Sequence, residues 1–352
     1  MAWAKPQNNR GRVDAAGDAL LHPPISSDEY EAALSVINNW RSSHGYPLQC
    51  LKMVLLGRAK SIDSKALIAQ RLKRLHSIEL KLKNNPHMKL SQMQDLGGCR
   101  AVVRSVHNVH QLVSLYEQSN AKISKRGAEF VKKYDYIQNP KESGYRSVHL
   151  VYKYHTASKD RAIYNGLRIE IQLRSRLQHA WATAVETASI FTGQALKSNI
   201  GADEWLRFFA LMGSAIALQE RGQIVPNTPT DRKILIDEIS DLAHRLKVET
   251  ILESWVAAQS ITAKTTNAYA FLLVLDPVQK TISVTPFTKK AFPKASEQYL
   301  LVEKETADKP GVQAVLVSVS SLQALRSAYP NFYLDTKVFL ETLRQVIIKR
   351  PV

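Results

Sequence analysis

At 352 residues, 45% of them hydrophobic, the chain is long and apolar enough to bury a core and to form two domains, which excludes a disordered polypeptide. A formal charge of +17 suits a polyanionic partner, while two cysteines with no CxxC or Cys/His spacing exclude a disulfide framework and a structural zinc site. The first 25 residues lack the apolar core of a signal peptide and the most apolar runs, 208–218 and 271–275, are too short to span a bilayer, so a cytoplasmic protein with no membrane partner is expected.

The charge is unevenly placed: residues 51–200 carry 26 basic and 10 acidic groups, against 4 and 5 before them and 18 and 16 after them. Such a block either faces a polyanion or forms an ordinary solvated basic face. A segment over 1–25, rich in Asn, Gly, Pro and charge, leads into a helix predicted over 27–40, where Tyr30, Leu34 and Ile37 fall at helical spacing and Ser26 or Ser27 can cap it. A second helix is predicted over 61–84 and ends at Asn85-Pro86. Short β-branched or alternating runs predict strands over 98–104, 147–154 and 168–174, and a helix over 175–191 follows the last of them.

The stretch 221–232, with Pro226, Asn227 and Pro229, reads as a linker. After it, a helical block over 235–261 precedes strand candidates over 269–275, 281–287 and 312–319, with 299–303 as a fourth candidate, and short helices over 322–327 and 337–348 close the chain. The predicted organisation is an N-terminal segment (1–25), an α/β catalytic domain (26–220), a linker (221–234) and a smaller C-terminal α+β domain (235–352).

Four segments carry chemistry. On a helix, Lys73, Ser77 and Lys81 fall at i, i+4 and i+8, which suits a polyphosphate and equally suits a basic solvent face. Asp95-Leu-Gly-Gly-Cys-Arg100 leads into a strand; its glycines permit close approach of a ligand, and Asp95 is either a magnesium ligand or a turn residue. In the strand 168–174 the period of two buries Ile169, Ile171 and Leu173 and turns Arg168, Glu170, Gln172 and Arg174 to the other face, while in 147–153 it groups His149 with Ser147 and Lys153. These strands are either exposed amphipathic edges or the inventory of a phosphoryl-transfer site. The turn-rich loop 139–145 presents Tyr145, either as a base-stacking platform or as plain packing.

Taken in order, RxKxxxSxxxK at 71–81, DxxGxR at 95–100, NPKxxGYRSVH at 139–149 and EIQLRS at 170–175 resemble the synthetase domain of the RelA/SpoT family over roughly residues 25–200. The resemblance implies a nucleotidyltransferase-like mixed sheet flanked by helices, and transfer of pyrophosphate from ATP to the 3′ hydroxyl of GDP or GTP, yielding the alarmones ppGpp and pppGpp. It implies that Arg71 and Arg100 sandwich adenine, that Lys73, Ser77 and Lys81 hold the ATP phosphates, and that Asp95 and Glu170 bind Mg2+. The resemblance further implies that Glu170 helps to deprotonate the acceptor hydroxyl, that Tyr145 stacks on the acceptor base, and that Lys141 and His149 contact acceptor phosphates. An earlier Arg58-Ala-Lys60 imitates the start of the ATP motif, but Ile68 stands where its last lysine belongs. No His-Asp dipeptide marks the family's hydrolase module, and no Gly-Lys dipeptide marks a P-loop.

Gly97-Gly98-Cys99, the loop 136–141 and lysines 122, 125, 132 and 133 are similar to the stand-alone branch of this family, which includes toxins of toxin–antitoxin and phage-defence systems. That similarity implies the 3′-terminal adenosine of tRNA as acceptor ahead of guanosine nucleotides, with (p)ppApp-type products third, and an antitoxin or trigger protein as partner. A non-catalytic RNA-binding regulator is the reading from another class; it has no use for Asp95 or Glu170. The C-terminal region is expected to be a regulator, an inhibitor, a sensor or a structural cap, and its aromatic cluster 329–333 either fills that domain's core or docks near Arg71 and Arg100.

Overall fold

The computed structural model describes residues 3–22, 26–118, 127–195, 202–253, 267–276, 281–306, 312–318 and 332–348. The chain divides into two compact units, one formed by Met1–Tyr136 and Ser147–Ser175, the other by Ile137–Arg146 and Arg176–Val352. The predicted boundary at 221–234 is not where this division falls.

The first unit is built on five strands, β1 (Leu67–Leu72), β2 (Gly97–Val103), β3 (Ala128–Asp135), β4 (Val148–Tyr154) and β5 (Arg168–Ser175), in the order β1-β2-β5-β4-β3. β2 and β5 run parallel and every other pair is antiparallel, so the predicted mixed sheet is present. Ile169, Ile171 and Leu173 are buried, as are Cys99, Ala101 and Val103 of β2, and α3 (Gly45–Ile62) and α5 (Val106–Gln118) pack on these strands. A second core gathers α1 (Arg10–Leu21), α2 (Ser27–Ser43) and α4 (Leu75–Lys83) around Val13, Ile37, Trp40, Ile78, Leu82 and Leu90. α1 lies within the N-terminal segment 1–25, to which the sequence pattern assigned no element; Asn9 caps it by accepting from the Arg12 amide at 2.9 Å. Ser26 stands at the N-cap of α2, without a side-chain cap bond.

The predicted helix over 61–84 does not form as one element. Residues 61 and 62 end α3, and Leu67–Leu72 form β1, an edge strand whose backbone pairs with β2 from Leu67 opposite Val102 to Leu72 opposite Gly97. Apolar residues at helical spacing cannot distinguish a half-exposed edge strand followed by a helix from one long helix, and sheet pairing overrides the local pattern. Only Leu75–Lys83 is helical.

His44 sits at the junction of α2 and α3, 1% exposed, with Nδ1 2.8 Å from the Trp40 carbonyl. Burial pulls its pKa down from 6.5 to about 4, against the opposing effect of that backbone bond. The folded state therefore resists a proton that the unfolded chain accepts below pH 6.5. Stability is expected to be lost as pH falls from 6.5 towards 4, by about 3 kcal/mol from this group alone. Urea midpoints at pH 7.5 and pH 5 measure it: His44→Gln, which keeps a donor and does not titrate, should show a smaller drop than wild type, and equal drops would refute the assignment.

The second unit holds α6 (Arg176–Ala195), α7 (Ala202–Gln219), α8 (Arg232–Arg245), α9 (Phe292–Thr306) and α10 (Phe332–Ile348), with an antiparallel sheet β7-β6-β8 made of β6 (Ala270–Asp276), β7 (Thr281–Phe287) and β8 (Gln313–Ser318). One core runs through Trp181 of α6, Phe208 and Phe209 of α7, Leu235 and Ile239 of α8, Phe271 and Leu273 of β6, and Phe339 and Leu343 of α10. The α+β content expected after 235 is present, but its core is continuous with α6 and α7. The fourth strand expected over 299–303 is instead part of α9. Its alternation is too short to decide between the two periods. The predicted helix over 322–327, part of the block over 235–261, Lys122, Lys125 and the start of the 329–333 cluster lie outside the described residues. No helix among the described residues is long and apolar enough to cross a membrane.

Candidate active site

The end of β1 and the start of β2 are tied by the Lys73 amide, which donates to the Leu96 carbonyl at 2.8 Å. This turn brings Lys73 and Asp95 together and points the chain into α4. Lys73 Nζ donates to Asp95 Oδ2 and Lys81 Nζ to Asp95 Oδ1, both at 2.8 Å. The predicted three-residue helical stripe is thus corrected: Lys73 precedes α4, and only Ser77 and Lys81 lie on it. Burial alone would push the Asp95 carboxyl up, but the two ammonium groups outweigh it and hold its pKa below the ordinary value. Asp95 is therefore ionised at neutral pH.

β5 supplies Glu170 by the period-two alternation read from its sequence. Glu170 Oε1 is 3.0 Å from His149 Nδ1 on β4, and Gln172 Nε2 donates to Glu170 Oε2 at 2.6 Å. Arg174, 4% exposed, donates to Gln172 Oε1 at 3.2 Å, so Gln172 is held from behind while it holds Glu170. Burial pushes Glu170 up and the nearby Asp95 charge adds to that, yet the bonds from His149 and Gln172 and the His149 charge keep its pKa below the usual carboxylate value. The two carboxylates feel each other and both stay charged. Neighbouring Cys99 is buried, its thiol pushed up to about 12 by burial and by Glu170, so it offers no thiolate.

The register aligns the remaining residues. Arg71 pairs across with Gly98 and Gly98 with Glu170; one row along, Arg100 pairs with Gln172 and Gln172 with His149. Gly97 and Gly98 serve different needs. A Cβ at Gly97 would stand 2.8 Å from Ile169 Cδ1, in the packed core, whereas one at Gly98 would find only the Glu170 carbonyl oxygen, at 3.6 Å. Gly97 permits packing; Gly98 leaves the sheet low beside Glu170.

The sequence singled out Arg71, Lys73, Ser77, Lys81, Asp95, Arg100, His149 and Glu170, and all of these belong to the first unit, on β1, β2, β4, β5, α4 and the turns between them. Lys141 and Tyr145 belong to the second unit, where Lys141 Nζ lies 5.6 Å from the Tyr145 ring centroid and Tyr145 meets Trp181 edge-on at 6.3 Å. Sequence reasoning gave no role to Gln172, Arg174, Tyr134 or Tyr136. Tyr136 meets His149 edge-on at 5.2 Å and stacks with Tyr134 at 6.0 Å. The period of two through Lys132, Tyr134 and Tyr136 is the signal that could have placed these rings; Phe130, across a bulge, pairs with Tyr152 instead.

These side chains also fit a hard divalent cation. Two ionised carboxylates supply oxygen, and no group of three or more His, Cys, Asp or Glu among the described residues forms a cage. That is the donor set of magnesium, which one or two carboxylates bind together with substrate phosphates.

A mixed α/β sheet that groups two charged carboxylates with lysine, arginine and histidine offers the charges and oxygen donors that would suit a metal-bound polyanion. Residues 70–194 match the family model described as "Region found in RelA / SpoT proteins". The chain is similar to "GTP pyrophosphokinase YwaC" of Bacillus subtilis (strain 168), 28% identical over 166 residues that cover 47% of this chain and 70% of that protein. It is also similar to "GTP pyrophosphokinase YjbM" of the same organism, 31% identical over 103 residues, covering 29% of this chain and 44% of that protein. The crystal structure of small alarmone synthetase 1 from Bacillus subtilis aligns at 22% identity with a TM-score of 0.41, over 51% of this chain and 88% of that one.

Proposed function

We propose that the protein is an ATP-dependent pyrophosphokinase that transfers the β,γ-diphosphate of ATP to the ribose 3′ hydroxyl of GDP or GTP. The observation that carries this reading is the pair of ionised carboxylates, Asp95 gripped by Lys73 and Lys81, and Glu170 gripped by His149 and Gln172. The RelA/SpoT region and the two relatives named GTP pyrophosphokinase support it. They favour a guanosine acceptor over the tRNA terminus implied by the similarity to the stand-alone branch. Of the four lysines behind the tRNA reading, Lys133 is paired with Glu117 at 2.6 Å and Lys132 lies 4.8 Å from the Tyr134 ring centroid.

In this reading Arg71 and Arg100 hold adenine, while Lys73, Ser77 and Lys81 hold the ATP phosphates. On nucleotide binding the two ammonium groups turn from Asp95 to phosphate oxygens. Asp95 and Glu170 would hold magnesium, which neutralises charge on the transferring diphosphate when bound. His149 and Lys141 take the acceptor phosphates and Tyr145 its base. The acceptor oxygen bonds to the β phosphorus, the bond from that phosphorus to the α,β-bridging oxygen breaks, and AMP leaves. Glu170 orients the hydroxyl and takes its proton; a weak base suffices because a loose phosphoryl transition state asks mainly for positioning and charge.

Incubating the protein with γ-labelled ATP and, separately, GDP, GTP, ATP or deacylated tRNA tests the reading. Label is expected in a guanosine 3′-diphosphate and AMP in equal amount. Label only in tRNA would replace the acceptor, and none in any product would overturn the activity.

A further inference from the structure

We propose that Glu220, beyond the end of α7 and outside the matched region 70–194, is a positioning residue for the acceptor: through Arg146 it fixes the segment that carries Lys141 and Tyr145. The inference rests on the acceptor roles proposed above for those two residues.

Arg146 closes the segment 137–146, and its side chain is 2% exposed. Its Nη1 donates to Glu220 Oε2 at 2.8 Å, and Gln178 Nε2 of α6 donates to the same oxygen at 3.1 Å. Glu220 is itself only 7% exposed. A buried ion pair is costly to assemble and is retained where it selects one arrangement over others, since losing either partner strands a charge. The cavity among Gly144, Arg146, Gln178, Trp181, Gly213 and Ile216 is about 10 Å3, room for no more than about one water beside the guanidinium.

The backbone is shaped to this pair on both sides. Arg221 takes a φ of +55° and the Gly222 amide donates to the Ala217 carbonyl at 2.8 Å, ending α7 in a left-handed turn. A Cβ at Gly222 would stand 2.5 Å from Arg146 Nη2, so glycine there makes room for the guanidinium. On the other side Gly144, at φ +91°, crosses α7 so closely that a Cβ at Gly213 would lie 2.7 Å from the Gly144 Cα. Between these contacts the Gly144 amide donates to the Lys141 carbonyl at 2.8 Å and the Lys141 amide to the Tyr145 carbonyl at 3.3 Å. Lys141 through Arg146 is thus one turn, clamped at Gly144 by α7 and at Arg146 by Glu220, with the Tyr145 ring edge-on to Trp181. A ring held in place before the base arrives loses less freedom on stacking than a mobile one.

Steady-state kinetics of the full chain test the proposal with three variants. Glu220→Ala should raise the acceptor KM tenfold or more while the ATP KM stays within twofold, and Glu220→Gln, which keeps an oxygen for Arg146 but not the counter-charge, should show a smaller rise that is still acceptor-selective. Gly213→Ala alters no charge and pushes on Gly144 instead; the same acceptor-selective rise is expected, which keeps the test decisive if Glu220→Ala fails to fold. Equal rises for both substrates, or none, would overturn the proposal. Should wild type use no guanosine acceptor, the activity reading fails by itself. Hydrogen exchange then judges the clamp: faster exchange over 137–146 in Gly213→Ala, with β2 and β5 unchanged, supports it, and unchanged exchange refutes it.

Discussion

Glu170→Gln is expected to lower pyrophosphate transfer by about a thousandfold while leaving ATP binding within about threefold. The substitution keeps the size of the side chain and one acceptor oxygen, so one of the two bonds from His149 and Gln172 survives and the strand stays in place. What it removes is the negative charge, which in the proposed mechanism holds the cation and orients the acceptor hydroxyl. Asp95→Asn should be similarly inactive for a different reason. It leaves Lys73 and Lys81, both within 2.8 Å of the carboxylate in the parent, without a counter-charge before nucleotide binds. A stability loss of about 1–3 kcal/mol is expected to accompany it. Single-turnover rates at saturating ATP, with ATP affinity measured separately, check both variants. Near-wild-type transfer by either would remove that carboxylate from the chemistry.

The two halves of this site were not equally legible. Glu170, Gln172 and His149 follow from a period of two, and the parallel and antiparallel neighbours of β5 keep that alternation, so the sequence pattern translated directly into one shared face. Lys73 was recognisable by type and spacing but was misplaced on a helix, because an edge strand buries so little that its pattern is not distinctive. Arg146 and Glu220 are 74 positions apart, and no local rule pairs a motif arginine with a glutamate at the end of another helix. The apolar run over 208–218 was visible, yet an amphipathic face does not name what covers it. This is also why a linker was expected over 221–234: proline and asparagine mark a turn in the chain, and turns occur inside a core as readily as between cores.

A chain ending at Arg221 is expected not to fold in its second unit, in contrast to the separable C-terminal regulator that the composition suggests. Trp181, Phe208 and Phe209 share one core with Leu235, Ile239, Leu242, Phe271, Leu273, Phe339, Leu340 and Leu343. Truncation removes the latter eight and exposes the former three. At about 1.5–3 kcal/mol for each large apolar side chain buried, the loss reaches about 12–24 kcal/mol, comparable with or above the whole stability of a typical domain. α6 also loses the contact of His179 Nε2 with Asp335 Oδ2 at 3.2 Å. Because residues 137–146 belong to this unit, the acceptor segment should lose its order along with the core, so the truncated chain is expected to be inactive rather than released from restraint. Near-ultraviolet circular dichroism, binding of a hydrophobic dye and transfer activity at equal concentration measure the outcome. Phe339→Ala in the full chain provides a milder version, with an expected loss of about 3–5 kcal/mol in urea unfolding. A truncated protein that unfolds cooperatively and transfers faster than the full chain would show that the C-terminal region is a detachable regulator; cooperative unfolding with unchanged activity would show that the shared core is dispensable.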